Sequence, residues 1–161
     1  MAHRQQAVGK SNEWYTPPHI FKALGCTFDM DVAYPLTTSL PWIPARVVLM
    51  QRSLEETWTG FIWMNPPFGG RGDKALWLEK FFAHDNGIAL VPDRTSAPWW
   101  QQYAPRADLV LFVAPKIRFL GPRSGNSPAQ GTCLLGLGER AWKALYNARN
   151  NGLGQLMEPR R

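Results

Sequence analysis

The apolar run at residues 60–64 (GFIWM) ends directly at Asn65, Pro66 and Pro67. A short run of apolar residues without alternation predicts a strand that is buried on both faces. The two prolines fix φ and lack an N–H, so regular structure cannot continue past Met64. Since a residue before proline is driven into an extended conformation, Asn65 is predicted to lie at the carboxyl end of this strand.

Segments with strand-like patterns alternate with segments with helical spacing along the rest of the chain. Strands are predicted at residues 27–32, 60–64, 87–91, 108–113, 116–120 and 131–137, and residues 46–50 are either a short strand or the end of a crossover. Helices are predicted from a cap at Thr16 to a stop at Gly25, and at residues 74–84, 96–103 and 139–149. The pattern predicts an α/β fold with a mostly parallel sheet covered by helices on both faces.

The length of 161 residues suits a compact single domain. Residues 1–12 are predicted to be a mobile tail, residues 13–152 the domain, and residues 153–161 a C-terminal tail. The first residues lack the apolar segment of a signal peptide, and no apolar run approaches the 18 residues of a membrane span. We therefore expect a cytoplasmic protein without a membrane partner, and the sequence predicts no oligomeric state.

The formal net charge of +6 favours a polyanionic partner, chiefly nucleic acid. Cys26 and Cys133 are too few for a disulfide framework and have no zinc-type spacing. The three histidines also form no metal-binding motif, so we predict no metal site. Eight tryptophans are many for this length, and they serve binding surfaces as well as cores.

The loop from Asn65 to Phe68 suits the activation of an amine. The N-6 amine of adenine is a poor nucleophile because its lone pair is delocalised into the ring. Two acceptors, the Asn65 side-chain oxygen and the Pro66 carbonyl, would each bind one N–H and free the lone pair for attack on a sulfonium methyl. Phe68 would stack on a base flipped out of the duplex, for about 1–3 kcal/mol. The plainer alternative is a rigid turn after a strand.

The chain resembles the Dam-like DNA N-6-adenine methyltransferases of phages and prophages in an ordered set of motifs over residues 12–138. The motifs are Glu13-Trp14-Tyr15-Thr16-Pro17, Phe28-Asp29-Met30-Asp31-Val32-Ala33, Asn65-Pro66-Pro67-Phe68, Ile117-Arg118-Phe119 and Ser127-Pro128-Ala129-Gln130-Gly131. The Asn-Pro-Pro-aromatic motif alone also occurs in glutamine and guanine N-methyltransferases. The resemblance implies a Rossmann-like methyltransferase fold, S-adenosylmethionine as cofactor, and adenine in double-stranded DNA as substrate.

The resemblance also implies residue roles, with Asn65, Pro66, Pro67 and Phe68 forming the catalytic loop. Cofactor contacts are implied for Thr16 and Pro17 at the methionine end, for Asp31 through an amino or hydroxyl group, for Asn65, and for Trp14 and Tyr15, which either flank the cofactor or pack. Asp29 is a rival for the role of Asp31, and Asp31 itself is alternatively a loop-capping carboxylate.

Contacts to DNA are implied for Arg118 and Phe119, which would hold the flipped base or a neighbouring phosphate. Further phosphate contacts are expected from residues in loops predicted to flank the same face, namely Arg71, Lys74 and Arg94. Each of these cations is alternatively an ordinary solvated charge.

Two departures from the family pattern leave other functions open. Ala33-Tyr34-Pro35 stands where many methyltransferases have a Gly-x-Gly turn, and Phe68 replaces the commoner tyrosine. A methyltransferase acting on RNA or protein glutamine, and a DNA-binding remnant without activity, are the competing hypotheses.

Overall fold

A computed structural model describes residues 14–67, 73–121 and 130–160. The predicted tail at residues 1–12, as well as Phe68 and Arg71, lies outside the described residues. The elements in chain order are α1 (Pro18–Leu24), β1 (Phe28–Asp31), β2 (Ala45–Val48), β3 (Ile62–Met64), α2 (Asp73–His84), β4 (Gly87–Pro92), α3 (Pro98–Tyr103) with a 3-10 turn (Ala104–Arg106), β5 (Leu109–Val113), β6 (Thr132–Leu137), α4 (Glu139–Asn150) and β7 (Gly154–Met157).

The seven strands form one mixed sheet in the order β2-β1-β3-β4-β6-β5-β7. Strands β1 to β4 pair in parallel, whereas β6 is antiparallel to both β4 and β5, and β7 is antiparallel to β5. The chain is thus a single α/β domain, but the prediction of a mostly parallel sheet is wrong. Its antiparallel ladders join more residue pairs than its parallel ones, chiefly through β6. A central strand buried on both faces is continuously apolar in either direction, so the sequence does not reveal its orientation.

Both faces of the sheet are covered, which explains the continuous apolar runs. Successive residues of β3 point to opposite sides: Trp63 packs with α1 and α4, while Ile62 and Met64 pack with α2 and α3. The same alternation continues in β4, where Ile88 and Leu90 face α1 and α4 and their neighbours face the other layer. Every residue of β3, β4 and β6 is buried.

Helix α1 ends at Gly25, which adopts φ +63° and donates its N–H to the carbonyl of Phe21. Its N-terminal end differs from the prediction. Pro17 is the N-cap, and no side chain caps the helix. The Thr16 hydroxyl is engaged elsewhere, at a site described below.

Two further predictions are wrong. Residues 116–120 form no strand beyond a single antiparallel bridge between Leu120 and Tyr15. Residues 153–161 are not simply a tail, because Gly154–Met157 forms β7 and pairs with β5. Its alternation of half-buried and exposed residues is too short to stand out in the sequence. In the part of the chain that the structure describes, no helix has the length and apolarity needed to cross a membrane.

The packing of β7 against β5 predicts a strong effect of Gly154→Ala. Gly154 has φ +153°, and a methyl group there would collide with the carbonyl oxygen of Phe112 in the paired strand. We expect the free energy of unfolding, measured by urea denaturation, to fall by about 3 kcal/mol. Gly152→Ala is the matched control: Gly152 also has positive φ, +79°, but open space around it, so it should lose only about 1–2 kcal/mol. Equal losses in the two variants would contradict the described position of β7.

Candidate functional site

The strand order changes direction at β1. The chain passes from β1 to β2 on one side, then crosses back to β3 on the other side of β1. Such a reversal opens a crevice at the carboxyl ends of the two strands, where ligands bind in open α/β sheets. Asp31 is the last residue of β1 and pairs with Trp63, so Asn65, just past the end of β3, lies at the same edge.

A cleft with about 780 Å³ of empty space, its open mouth included, occupies this edge. Asp31 and Asn65 lie among its lining residues, together with Pro66 and Pro67. The other lining residues are Trp14, Tyr15 and Thr16 before α1, residues 32–36 after β1, residues 49–53 after β2, and Leu40, Ile43, Trp63 and Trp77.

The Asn65 amide has one defined orientation. Its Nδ2 donates to the backbone carbonyl of Trp14 at 2.6 Å and to Oγ1 of Thr16 at 3.1 Å. A carbonyl oxygen can only accept, so the nitrogen rather than the oxygen must face Trp14. Both amide hydrogens are thereby used, and Oδ1 receives no hydrogen bond from the described residues. Asn65 therefore offers an acceptor and no donor to a ligand.

The segment that holds Asn65 is itself fixed. Tyr15 and Leu120 exchange two backbone hydrogen bonds of 2.9 Å, and the Trp42 indole donates to the carbonyl of Thr16 at 2.9 Å. Thr16 is only 1% exposed. Three distant parts of the chain thus converge behind Asn65, and none of these partnerships was predicted from the sequence.

Asp31 brings a buried carboxylate to the cleft. It is 2% exposed, and its Oδ1 accepts a hydrogen bond of 2.9 Å from the backbone N–H of Ala33. Burial raises the pKa of Asp31 to about 7, against the opposing effect of that hydrogen bond. No second donor from the described residues reaches the carboxyl group. A ligand that supplies a hydroxyl or ammonium group would meet this unfilled requirement.

Asp29, the rival carboxylate, is occupied elsewhere. Its Oδ2 accepts from the backbone N–H of Phe61 and from the Arg140 guanidinium, each at 2.7 Å. These two contacts, the Phe61 hydrogen bond foremost, lower the pKa of Asp29. Asp29 thereby links Arg140, at the start of α4, to Phe61, the residue before β3. Of these two carboxylates, Asp31 lies in the cleft lining and Asp29 does not.

The turn after β1 explains how the cleft is built without a Gly-x-Gly motif. No helix follows β1; instead Tyr34 donates its N–H to the carbonyl of Leu49, and its hydroxyl accepts from the N–H of Leu40 at 2.5 Å. Residues 33–40 therefore fold into a wall of the cleft. Because no helix N-terminus follows β1, this end of the strand has no phosphate-binding site of that kind. The charged group at the end of β1 is the Asp31 carboxylate.

The residues predicted to contact DNA lie in different surroundings. Lys74 lies with its Nζ 4.7 Å from the ring centroid of Trp99, and burial, then the charge of Arg94, lowers its pKa. Arg94 is exposed just past β4, at the same sheet edge as Asn65. Arg118 is exposed but does not line the cleft. Phe68 and Arg71 lie outside the described residues.

Phe119 requires a correction. The resemblance implies contact with a flipped base, but the side chain is 1% exposed and belongs to the core between the sheet and α1. It contacts Trp14 edge to face, with ring centroids 5.9 Å apart. Phe119 thus supports a residue of the cleft wall and presents no surface of its own to a base. Among the described residues, no three His, Cys, Asp or Glu side chains group as a metal site.

The environment of Asp31 predicts a pH-dependent cost to stability. Its folded pKa of about 7 lies above the unfolded value, so between about pH 4 and pH 7 the folded protein keeps a proton that the unfolded chain has lost. Stability from this group is therefore lost as the pH rises through that window, by up to about 4 kcal/mol. Asp31→Asn should remove the loss. Urea unfolding measures the free energy of unfolding of the variant minus that of wild type at each pH, and this difference should be larger at pH 8 than at pH 4.5. An equal difference at both pH values would contradict the assignment.

Comparison of the chain with protein-family models, with curated proteins and with solved structures finds no match. The function has to be argued from the geometry of the cleft and the chemistry of its residues.

Proposed function

We propose that the chain is an S-adenosylmethionine-dependent methyltransferase acting on the N-6 amine of adenine in DNA. The observation that carries the proposal is the orientation of Asn65, whose amide hydrogens are both engaged behind it at Trp14 and Thr16. The cleft therefore offers an oxygen acceptor to a group that carries N–H bonds, as the substrate amine does.

The proposed role of Asn65 is to activate that amine. Oδ1 accepts one N–H, and the carbonyl of Pro66, in the same stiff loop, accepts the other. Two acceptors draw the nitrogen towards a tetrahedral arrangement and restore density to its lone pair. Since Pro66 is followed by another proline, no backbone N–H of Pro67 competes for the loop's acceptors. The loop would thereby lower the barrier to methyl transfer by positioning the amine, an effect that supplies several kcal/mol in oriented reactions.

The cleft has the chemistry for the proposed cofactor. When bound, S-adenosylmethionine supplies an electrophilic methyl group on a sulfonium, which passes to the amine nitrogen as the thioether leaves and a proton is released. Asp31 would accept a hydrogen bond from its ribose hydroxyl or its ammonium group, which satisfies the buried carboxylate. The indoles of Trp14 and Trp77 would pack against its apolar parts or its positive charge. S-adenosylmethionine has no phosphate group, which is consistent with a cleft that has no helix N-terminus after β1.

The topology supports a Rossmann-like methyltransferase fold as part of the proposal. Parallel strands β2-β1-β3-β4 with a reversal at β1 are the arrangement of doubly wound folds, and the cleft lies at that reversal. The antiparallel strands β6 and β7 are added at the far side of β4. They leave the edge that carries Asp31 and Asn65 unaltered.

Nucleic acid is the proposed partner because the chain is basic and the exposed Arg94 lies at the same sheet edge as the cleft. Arg94 lies just past β4, and Lys74 lies in the first turn of α2 beside Trp99; both are proposed to contact phosphates near the strand ends. A base in a duplex does not reach a cleft of this kind, so the adenine must be flipped out. RNA and protein glutamine present similar N–H groups and are therefore tested as rival substrates.

Methyl transfer from the cofactor to unmethylated DNA, followed by nucleoside mass spectrometry, tests the proposal. We expect N-6-methyladenine from wild type, and a fall of at least about 100-fold in rate for Asn65→Ala, since the acceptor is lost. Asn150→Ala, on the exposed side of α4, is the matched control and should retain the rate. Methylation of RNA or protein but not of DNA would show that DNA is not the substrate. Full activity of Asn65→Ala would remove the mechanism.

Calorimetric titration with S-adenosylmethionine at pH 8 tests the role of Asp31 separately. Asp31→Asn keeps the shape but loses the charge, so affinity should fall about 10- to 100-fold, the range for a charged hydrogen bond. Asp29→Asn is the control, because Asp29 lies outside the cleft, and should bind as wild type does. Equal binding by the Asp31 variant would contradict the cofactor role, and no binding by folded wild type would favour an inactive remnant.

A further inference from the structure

We infer that Thr16 is a positioning residue for Asn65 and acts through that amide, not through the cofactor. The inference rests on the proposed function and assigns the Thr16 hydroxyl a role that differs from the cofactor contact implied by the resemblance. It follows from the hydrogen bond of 3.1 Å between Asn65 Nδ2 and Thr16 Oγ1.

The direction of this hydrogen bond is fixed. A hydroxyl can donate or accept, but the neighbouring Trp14 carbonyl forces the amide nitrogen to face this side of Asn65. Thr16 Oγ1 must therefore accept. The two acceptors bind the two amide hydrogens at once, so the plane of the amide is fixed as well as its orientation. The Trp14 carbonyl alone would leave the amide plane free to rock about that single contact.

The Thr16 side chain is a suitable anchor because it is itself immobile. It is 1% exposed, its carbonyl accepts from the Trp42 indole, and its neighbour Tyr15 is bridged to Leu120. Pro17 and Pro18 follow and stiffen the entry into α1. The threonine does not cap α1, so its hydroxyl is committed to Asn65.

The position of Oδ1 therefore depends on Thr16. A rocking amide would spread Oδ1 over several positions, and only some of them align the substrate amine with the methyl group. Since a small misplacement of a catalytic group costs about 100-fold in rate, loss of the anchor should lower kcat. Binding of the cofactor should change little, because the cavity keeps its shape and Asp31 is untouched.

Thr16→Val and Thr16→Ser test the inference, since valine keeps the shape without the acceptor and serine keeps the acceptor. Thr16→Val should lower kcat about 10- to 100-fold with the Kd for S-adenosylmethionine and the KM for DNA unchanged. Thr16→Ser should restore kcat. A raised cofactor Kd with unchanged kcat in Thr16→Val would overturn the inference, as would a serine variant that behaves like valine. Thr16→Ala replaces the valine variant if thermal melting shows that valine prevents folding.

A readout that needs neither DNA nor cofactor separates this inference from the proposed function. The side-chain amide signals of Asn65 in a ¹H–¹⁵N spectrum are identified as the pair missing from Asn65→Ala. In Thr16→Val one of the two hydrogens should exchange faster with water, and in Thr16→Ser both should exchange as in wild type. If exchange responds in this way but wild type transfers no methyl group, the proposed function fails and the positioning contact stands. Unchanged exchange in Thr16→Val would overturn the contact whatever the activity.

Discussion

The parallel pairing of β1 with β3 is the constraint on which the site depends. Asp31 and Trp63 are partners in this ladder, so the residues that leave the two strands emerge at one edge. Because the chain goes to β2 on one side and returns to β3 on the other, nothing in the sheet fills the crevice between them. A shift of this register by one residue would move the Asp31 carboxylate relative to the Asn65 amide. It would also turn Ile62 and Trp63 to the opposite faces of the sheet.

Each polar group of the cleft is specialised by what it already binds. Asn65 donates both amide hydrogens, to the Trp14 carbonyl and to the Thr16 hydroxyl, and its side-chain oxygen remains as an acceptor. Asp31 has one hydrogen bond from Ala33 and remains otherwise unsatisfied in a buried place, which raises its pKa. Asp29, two residues earlier, accepts hydrogen bonds from Phe61 and Arg140 and lies outside the cleft lining. The pKa values of two carboxylates on one short strand are thus shifted in opposite directions because their surroundings differ.

Local sequence patterns predicted the parts of the molecule that local interactions determine. The stop of α1 at Gly25, the buried strand before Asn65 and the end of that strand at Met64 follow from φ restrictions and apolar spacing. The direction of β6, the pairing of β7 and the core position of Phe119 depend on partners far along the chain. The anchoring of Asn65 is of the second kind, because its partners are about fifty residues away and one is a backbone carbonyl that carries no sequence signal.

The proposed function requires that one cleft hold the methyl donor beside an oriented amide oxygen. A crystal structure of the protein soaked with S-adenosylmethionine tests it most directly. We expect the cofactor between β1 and β3, with a hydroxyl or ammonium group hydrogen-bonded to the Asp31 carboxylate and its sulfonium end towards Asn65 Oδ1. A cofactor bound outside this cleft, or a donor group of the ligand directed at Asp29, would rule out the proposed site.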